Sequence, residues 1–189
     1  MNWTIPGSVL EAPRAECDQI PQQFGALFLG GGIALSQVAA MTGLEPYAIQ
    51  NWVKRGFLRP PEKKRYDLNQ FCRILTINSL KSELTMEQIC SLLSYVNGML
   101  DDDSDNLIDD AWLYFMFIRV AAQIRQLHQP EQIRQLLDQE LASYTEPVPG
   151  AKKRIETALR IMLTGWLAAR LHQQAVTMIQ NEIKKENVQ

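Results

Sequence analysis

The chain has 189 residues, 46% of them apolar, and a net charge of −2, which is enough length for one substantial core or two small ones. Its N-terminus carries acidic residues, no positive start and no long apolar run, so a secretory signal is not expected. A membrane span is also excluded, because Arg119, Arg160 and Arg170 interrupt the apolar stretches before they reach about 18 residues.

Residues 1–25, with Pro6, Pro13 and Pro21, read as an N-terminal arm. Gly30-Gly31-Gly32 reads as a flexible entry loop. A phosphate loop is disfavoured because no Gly-Lys-Ser/Thr follows. Leu35, Val38 and Ala39 then fall at helical spacing with Ser36 as N-cap, and Thr42-Gly43 supplies a tight corner. A second helix follows, with Pro46 in its first turn, where proline is tolerated.

Between Pro46 and Arg55 the apolar residues Ile49, Trp52 and Val53 share one helical face, and Tyr47, Gln50, Asn51 and Lys54 share the other. The first face suits a core. The second suits a duplex: amides such as Gln50 and Asn51 pair in bidentate fashion with adenine edges, and Lys54 and Arg55 neutralise phosphates. A solvated helix face has the same polarity, so the flanking sequence has to decide between the two readings. Gly56 is placed to close the helix in a left-handed conformation, Phe57-Leu58 to tuck back on the core, and residues 59–66 to form a short wing carrying Lys63, Lys64 and Arg65. Residues 46–73 hold seven Lys or Arg against Glu62 and Asp67, an excess of five cations in an anionic chain. Asp67 with Gln70, and Thr85 with Gln88, fit capping boxes that start two more helices. Their stripes run through Phe71, Ile74, Leu75 and Ile77, then through Met86, Ile89, Cys90, Leu93 and Val96.

On these residues the stretch from Leu35 to Leu93 resembles the winged helix-turn-helix domain of the MerR superfamily of bacterial transcription regulators. The likeness rests on Ala39, Thr42-Gly43, Ile49, Trp52, Gly56-Phe57-Leu58, Tyr66, Phe71 and the run Leu84 to Ile89 followed by Leu92-Leu93. Residues Met41 to Leu93, with Asn51-Trp52-Val53-Lys54 and Pro60 to Tyr66, look like the uncharacterised bacterial YkrK-like proteins, a MerR-like family. The chain differs from typical MerR members in having Gln50 and Asn51 where they have arginine and tyrosine. Its wing is shorter, and an acidic linker stands where they have a coiled-coil helix.

Asp101, Asp102, Asp103 and Asp105 mark that linker, and the run lacks the central Gly and terminal Glu of an EF-hand. Ten acidic residues against three arginines over residues 101–149 should keep this part away from phosphate backbones. Three helices are expected beyond it: about Leu107 to Gln129, Pro130 to Tyr144, and Ala151 to near Lys185. The outer two are apolar nearly all round near Trp112, Phe115 and Trp166, which calls for cover by a second subunit or for a ligand pocket. Closed two-fold pairing, the commonest solution in soluble chains, favours a homodimer. The resemblance implies both dimerisation and effector binding in this region, and the effector would be an unidentified small molecule.

Cys17, Cys72 and Cys90 lack metal-ligand or CxxC spacing and read as reduced thiols, and His128 and His172 stand alone. No cofactor, metal site or nucleophile–base pair is expected. The reading is an all-α, mainly helical protein with an arm (1–25), a MerR-like winged helix-turn-helix domain (26–100) and a helical dimerisation or effector lobe (101–189). Its expected function is cytoplasmic, sequence-specific binding of double-stranded DNA as a homodimeric transcription regulator, not an enzyme. The alternative is a protein-interaction adaptor on the same scaffold.

Overall fold

The computed structural model describes residues 2–100, 102, 104–124 and 130–183. In chain order these form β1 (Asn2–Thr4), β2 (Glu11–Pro13), a 3-10 turn (Arg14–Gln19), α1 (Ile20–Phe28), β3 (Ile33–Ala34), α2 (Leu35–Thr42) and α3 (Pro46–Lys54). After these come β4 (Arg65–Tyr66), α4 (Leu68–Leu80), α5 (Met86–Asn97), α6 (Asp110–Gln123), α7 (Pro130–Glu140) and α8 (Ala151–Met178), which runs on as a π-helical turn, Ile179–Ile183. The chain is mainly helical. Its two short ribbons pair β1 with β2 and β3 with β4, both antiparallel, with Ile33 opposite Tyr66 and Ala34 opposite Arg65.

The helix starts follow from local chemistry. At α4, the Gln70 amide donates to Asp67 Oδ1 at 2.7 Å and the Asp67 amide donates to Gln70 Oε1 at 3.0 Å. At α5 the corresponding bonds join Gln88 N–H to Thr85 Oγ1 at 3.2 Å and Thr85 N–H to Gln88 Oε1 at 2.9 Å. Each pair satisfies two amides that the helix cannot, as the spacing predicts. Helix α2 begins two residues earlier than Ser36 would place it: Ala34 is the N-cap, and its amide donates to Gln37 Oε1 at 2.9 Å. The long side chain of Gln37 satisfies the Ala34 amide.

Helix α4 is the centre of the molecule. Phe71, Cys72, Ile74, Leu75, Ile77 and Leu80 are fully buried on it, and α1, α2, α5, α6 and α8 pack around it. The apolar centres of α6 and α8 are therefore covered by the chain's own elements, α4 and α5 on one side and the N-terminal segment on the other. Phe115 packs on Phe24 with ring centroids 6.2 Å apart. Trp166 meets Trp3 and Phe117 edge-on at 6.3 and 6.2 Å. This corrects the assignment of Phe115 and Trp166 to a dimer or effector surface: both are core residues, because the arm reaches back across them. Trp112, on the outer side of α6, is 54% exposed.

The arm earns that place through specific bonds. Tyr114 Oη donates to the Pro6 carbonyl at 2.7 Å, and Asn78 Nδ2 donates to the Gly7 carbonyl at 2.8 Å and the Thr42 carbonyl at 3.1 Å. Arg14 Nη1 donates to the Ala122 carbonyl at 3.0 Å, satisfying the C-terminal end of α6 with a cation. Helix α6 accordingly ends at Gln123, with Ile124 extended, six residues short of the expected end; residues 125–129 lie outside those described. Helix α1 departs from the reading of residues 1–25 as an arm, and Ile20, Phe24 and Phe28 carry the i, i+4, i+8 spacing that marks it. The Gly30–Gly32 segment closes it, with Gly31 N–H and Gly32 N–H donating to the Phe28 carbonyl.

The acidic linker ends in a buried ion pair that fastens α6 to α4. Arg73, 6% exposed, places Nη1 3.3 Å from Asp110 and donates Nε–H to the Phe57 carbonyl at 3.1 Å. Asn97 Nδ2 donates to Asp110 Oδ1 at 3.0 Å, and Asn69 Oδ1 accepts from the Ala111 amide at 3.1 Å. Burial pushes the Asp110 carboxyl above the usual carboxylate range, with the charge of Arg73 pulling it back. Among the described residues no helix is long and apolar enough to cross a membrane, and no group of three or more His, Cys, Asp or Glu side chains is placed to hold a metal ion.

Candidate nucleic-acid interface

Helix α3 divides its residues as an amphipathic helix on a small core must. Ile49 and Trp52 are buried and Val53 half-buried, while Tyr47, Gln50, Asn51 and Lys54 are exposed at i, i+3, i+4 and i+7. Tyr47 stands 65% exposed at the start of that row. The helix is held in place from both ends. Before it, Gly43 is left-handed and Thr42 Oγ1 accepts from the Leu44 amide at 3.3 Å, which sets the corner with α2. After it, Phe57 N–H returns to the Trp52 carbonyl at 2.9 Å and Gly56 N–H to the Val53 carbonyl at 3.0 Å, with Gly56 left-handed as its position predicts. Leu58 is then buried, so the chain turns back on the core before the next loop.

That loop contains a tight turn. Arg65 N–H donates to the Glu62 carbonyl at 2.8 Å, and the two residues between, Lys63 and Lys64, have φ of 46° and 62°. Two successive positive φ values are the sign pattern of a type I′ turn, which matches the twist of paired strands but suits Asn-Gly better than two lysines. The ammonium groups are thus presented at the cost of backbone strain. β4 follows at once and pairs with β3, which anchors the turn beside α2 and α3.

Between the helix and this turn runs a groove lined by Leu35, Gln50, Val53, Pro61, Lys64 and Tyr66. Gln50 and Lys64 form part of its wall, over an apolar floor. Tyr66 is buried, and burial raises its phenol above the ordinary range, so it serves as floor and not as an acid. The floor residues Leu35, Val53 and Pro61 were not singled out in the sequence as part of a site. The sequence assigns Leu35 and Val53 to helix packing and Pro61 to the wing loop, because a groove floor assembled from three separate segments has no periodicity of its own.

The local excess of cations is distributed unevenly. Arg73 is consumed by Asp110, and Arg59 is turned inward with Nε donating to the Leu100 carbonyl. Arg65 is exposed but donates Nη1–H to the Gly32 carbonyl at 2.8 Å. Arg55 lies over the Phe57 ring at 4.7 Å and 3.7 Å from Glu87 Oε1, both charges well exposed, so that pair is worth little and is easily exchanged for another anion. Lys54, Lys63 and Lys64 remain as exposed ammonium groups on the α3 and turn surfaces. The acidic residues Asp102, Asp105 and Asp109 lie beyond α5, outside the groove lining.

Cys72 is fully buried and its thiol is pushed well above the usual range by burial; Cys17 and Cys90 are raised for the same reason. These are packing residues.

Residues 33–117 match the family model described as a domain of unknown function, DUF1836, which spans the α3 site, the turn and most of α6. Over 86 residues the chain is 31% identical to a Bacillus subtilis (strain 168) protein named "Uncharacterized protein YkrK", covering 43% of this chain and 37% of that protein. These two matches support the likeness to the YkrK-like bacterial family. The chain spans little more than a third of the length of that relative. No solved structure matches the chain.

Proposed function

We propose that this protein is a sequence-specific DNA-binding transcription regulator that acts as a homodimer, with α2 and α3 as a MerR-like helix-turn-helix and the turn at Lys63-Lys64 as its wing. The observation that carries this reading is the shared surface of α3 and the strained turn. A row of exposed amides and a phenol, Tyr47, Gln50 and Asn51, lies beside Lys54, and Gln50 and Lys64 line one groove. A helix of this width enters a major groove, where Gln and Asn pair with adenine edges, while ammonium groups on the helix end and the turn meet the flanking phosphates. Neutralising Arg73 inside the core keeps that cation away from the backbone. The positive potential then rests on the lysines of the proposed wing.

Genomic footprinting of the tagged protein, followed by a duplex shift series over a range of salt concentrations, tests the proposal. Specific sites with affinity that falls linearly with the logarithm of salt concentration support it. An absence of footprints together with salt-independent or undetectable duplex binding would refute it. The apolar floor of the groove favours a second reading, an adaptor that receives an apolar side chain of a protein partner between Val53 and Pro61. The same duplex series separates the two.

A further inference from the structure

The buried polar side chains of the described residues are of two kinds. Thr42, Thr76 and Ser79 each return a hydroxyl to a carbonyl of their own helix, at 2.7, 3.0 and 2.8 Å. Gln70, Arg73 and Asn97 instead line one cavity of about 100 Å³, set between the root of the 59–66 loop, the start of α4, the end of α5 and the start of α6. Polar groups are buried around a space at a cost to stability unless they find partners there.

The donors of the inner wall are largely committed. Arg73 Nη1 lies 3.3 Å from Asp110 and its Nε donates to the Phe57 carbonyl at 3.1 Å. Gln70 Nε2 donates to the Arg59 and Pro60 carbonyls at 3.1 and 3.0 Å, and Arg59 Nε to the Leu100 carbonyl. Acceptors are left over. Asn97, 6% exposed, donates Nδ2–H to Asp110 Oδ1 at 3.0 Å, and its Oδ1 has no donor. Asp109, exposed on the rim, is the N-cap of α6 yet makes no capping bond. Three carboxylates, Asp67, Asp109 and Asp110, share the lining with two guanidinium groups, Arg59 and Arg73, so the cavity carries one surplus negative charge.

We infer that this cavity binds the primary ammonium group of a small organic ligand, with Asn97 Oδ1 and the Asp109 carboxylate accepting its N–H bonds. The surplus negative charge disfavours an anion. A bare divalent cation is disfavoured too, because the described residues group no three His, Cys, Asp or Glu side chains around one point. Volume limits the ligand further. A cavity of about 150 Å³ accepts the six carbons of benzene, so this one accepts about four non-hydrogen atoms, an ammonium nitrogen on a three-carbon stem. Because Gln70 and Arg73 hold the carbonyls of Phe57, Arg59 and Pro60, a ligand against them steadies the root of the loop that carries Lys63 and Lys64. Binding itself does not depend on what that loop contacts.

The test titrates the full chain, labelled with ¹⁵N, with propylammonium chloride at constant ionic strength. Saturable shifts of the Asn97 side-chain amide and of the Leu58, Arg59 and Asp109 backbone amides are expected, with a dissociation constant on the order of 1 mM. Tetramethylammonium, of similar size and equal charge but without an N–H, should give no saturable shift at these residues. Asp109→Asn keeps a good N-cap and should weaken propylammonium binding about tenfold. Asp138→Asn, at an exposed carboxylate on α7, should leave it unchanged. No saturable shift at the cavity, equal shifts with both cations, or full affinity in Asp109→Asn would each overturn the inference. Saturation of the same residues by calcium chloride at lower concentration would also overturn it, in favour of a metal site.

Discussion

The strained turn offers a perturbation in which stability and DNA affinity should move in opposite directions. Replacing Lys63-Lys64 by Asn-Gly keeps the turn geometry, because both new residues accept the positive φ values of 46° and 62° that lysine resists. Two non-glycine residues in this region cost roughly 1 kcal/mol each. After the added freedom of glycine in the unfolded chain is counted, Lys63→Asn with Lys64→Gly should stabilise the fold by about 1 kcal/mol. For a chain of this size that raises Tm by about 2–4 °C. Binding should weaken at the same time. Three exposed lysines per chain, Lys54, Lys63 and Lys64, would amount to about six phosphate contacts in the proposed dimer, hence a log–log salt slope near −5; the double substitution would leave about two contacts and a slope near −2. Fluorescence anisotropy with a labelled duplex at several salt concentrations reads the slope, and a thermal melt reads the stability. A more stable variant with an unchanged slope would remove the turn from the interface. A less stable variant would show that the lysine backbone is not strained.

On α3, Gln50→Ala or Asn51→Ala should reduce discrimination for a cognate site by about 1–3 kcal/mol while non-specific affinity stays constant, measured by competition between specific and random duplexes. In the core, Asp110→Ala leaves the Arg73 guanidinium buried without its counter-charge and should cost about 3–5 kcal/mol by urea unfolding; joint replacement by Arg73→Met and Asp110→Leu should recover most of that. The folded Asp110 carboxyl titrates above its unfolded value of about 3.9, so the folded state holds this proton to higher pH. Stability from this group should fall as pH rises through that window, and Asp110→Asn should remove this part of the pH dependence. At the arm, Gly7→Ala puts a Cβ 2.0 Å from the Leu75 carbonyl oxygen at a φ of +75°. Urea unfolding should show a loss of about 4 kcal/mol or more, against almost none for alanine at the open Gly25.

Local signals determined most of the α3 site. Pro46, the alternation of Ile49 and Trp52 with Gln50 and Asn51, Gly56, and the two capping boxes act within a few residues, so their consequences are readable without knowledge of the rest of the chain. The same holds for the exposure of Tyr47, Lys54, Lys63 and Lys64. Three features depended on distant partners. The proline-bearing arm became part of the core because Tyr114, Asn78 and Arg14 bond its backbone or carry its bonds to α6, and no spacing in residues 1–25 announces those partners. Arg73 looked like one more surface cation until burial paired it with Asp110, 37 residues away. The apolar girdles of α6 and α8 declare by composition that they need cover, but periodicity cannot say whose side chains supply it. Only packing assigned Phe115 and Trp166 to the chain's own core and left Leu171 and Met178 in water, because burial is decided by which elements meet and not by which residues are neighbours in sequence.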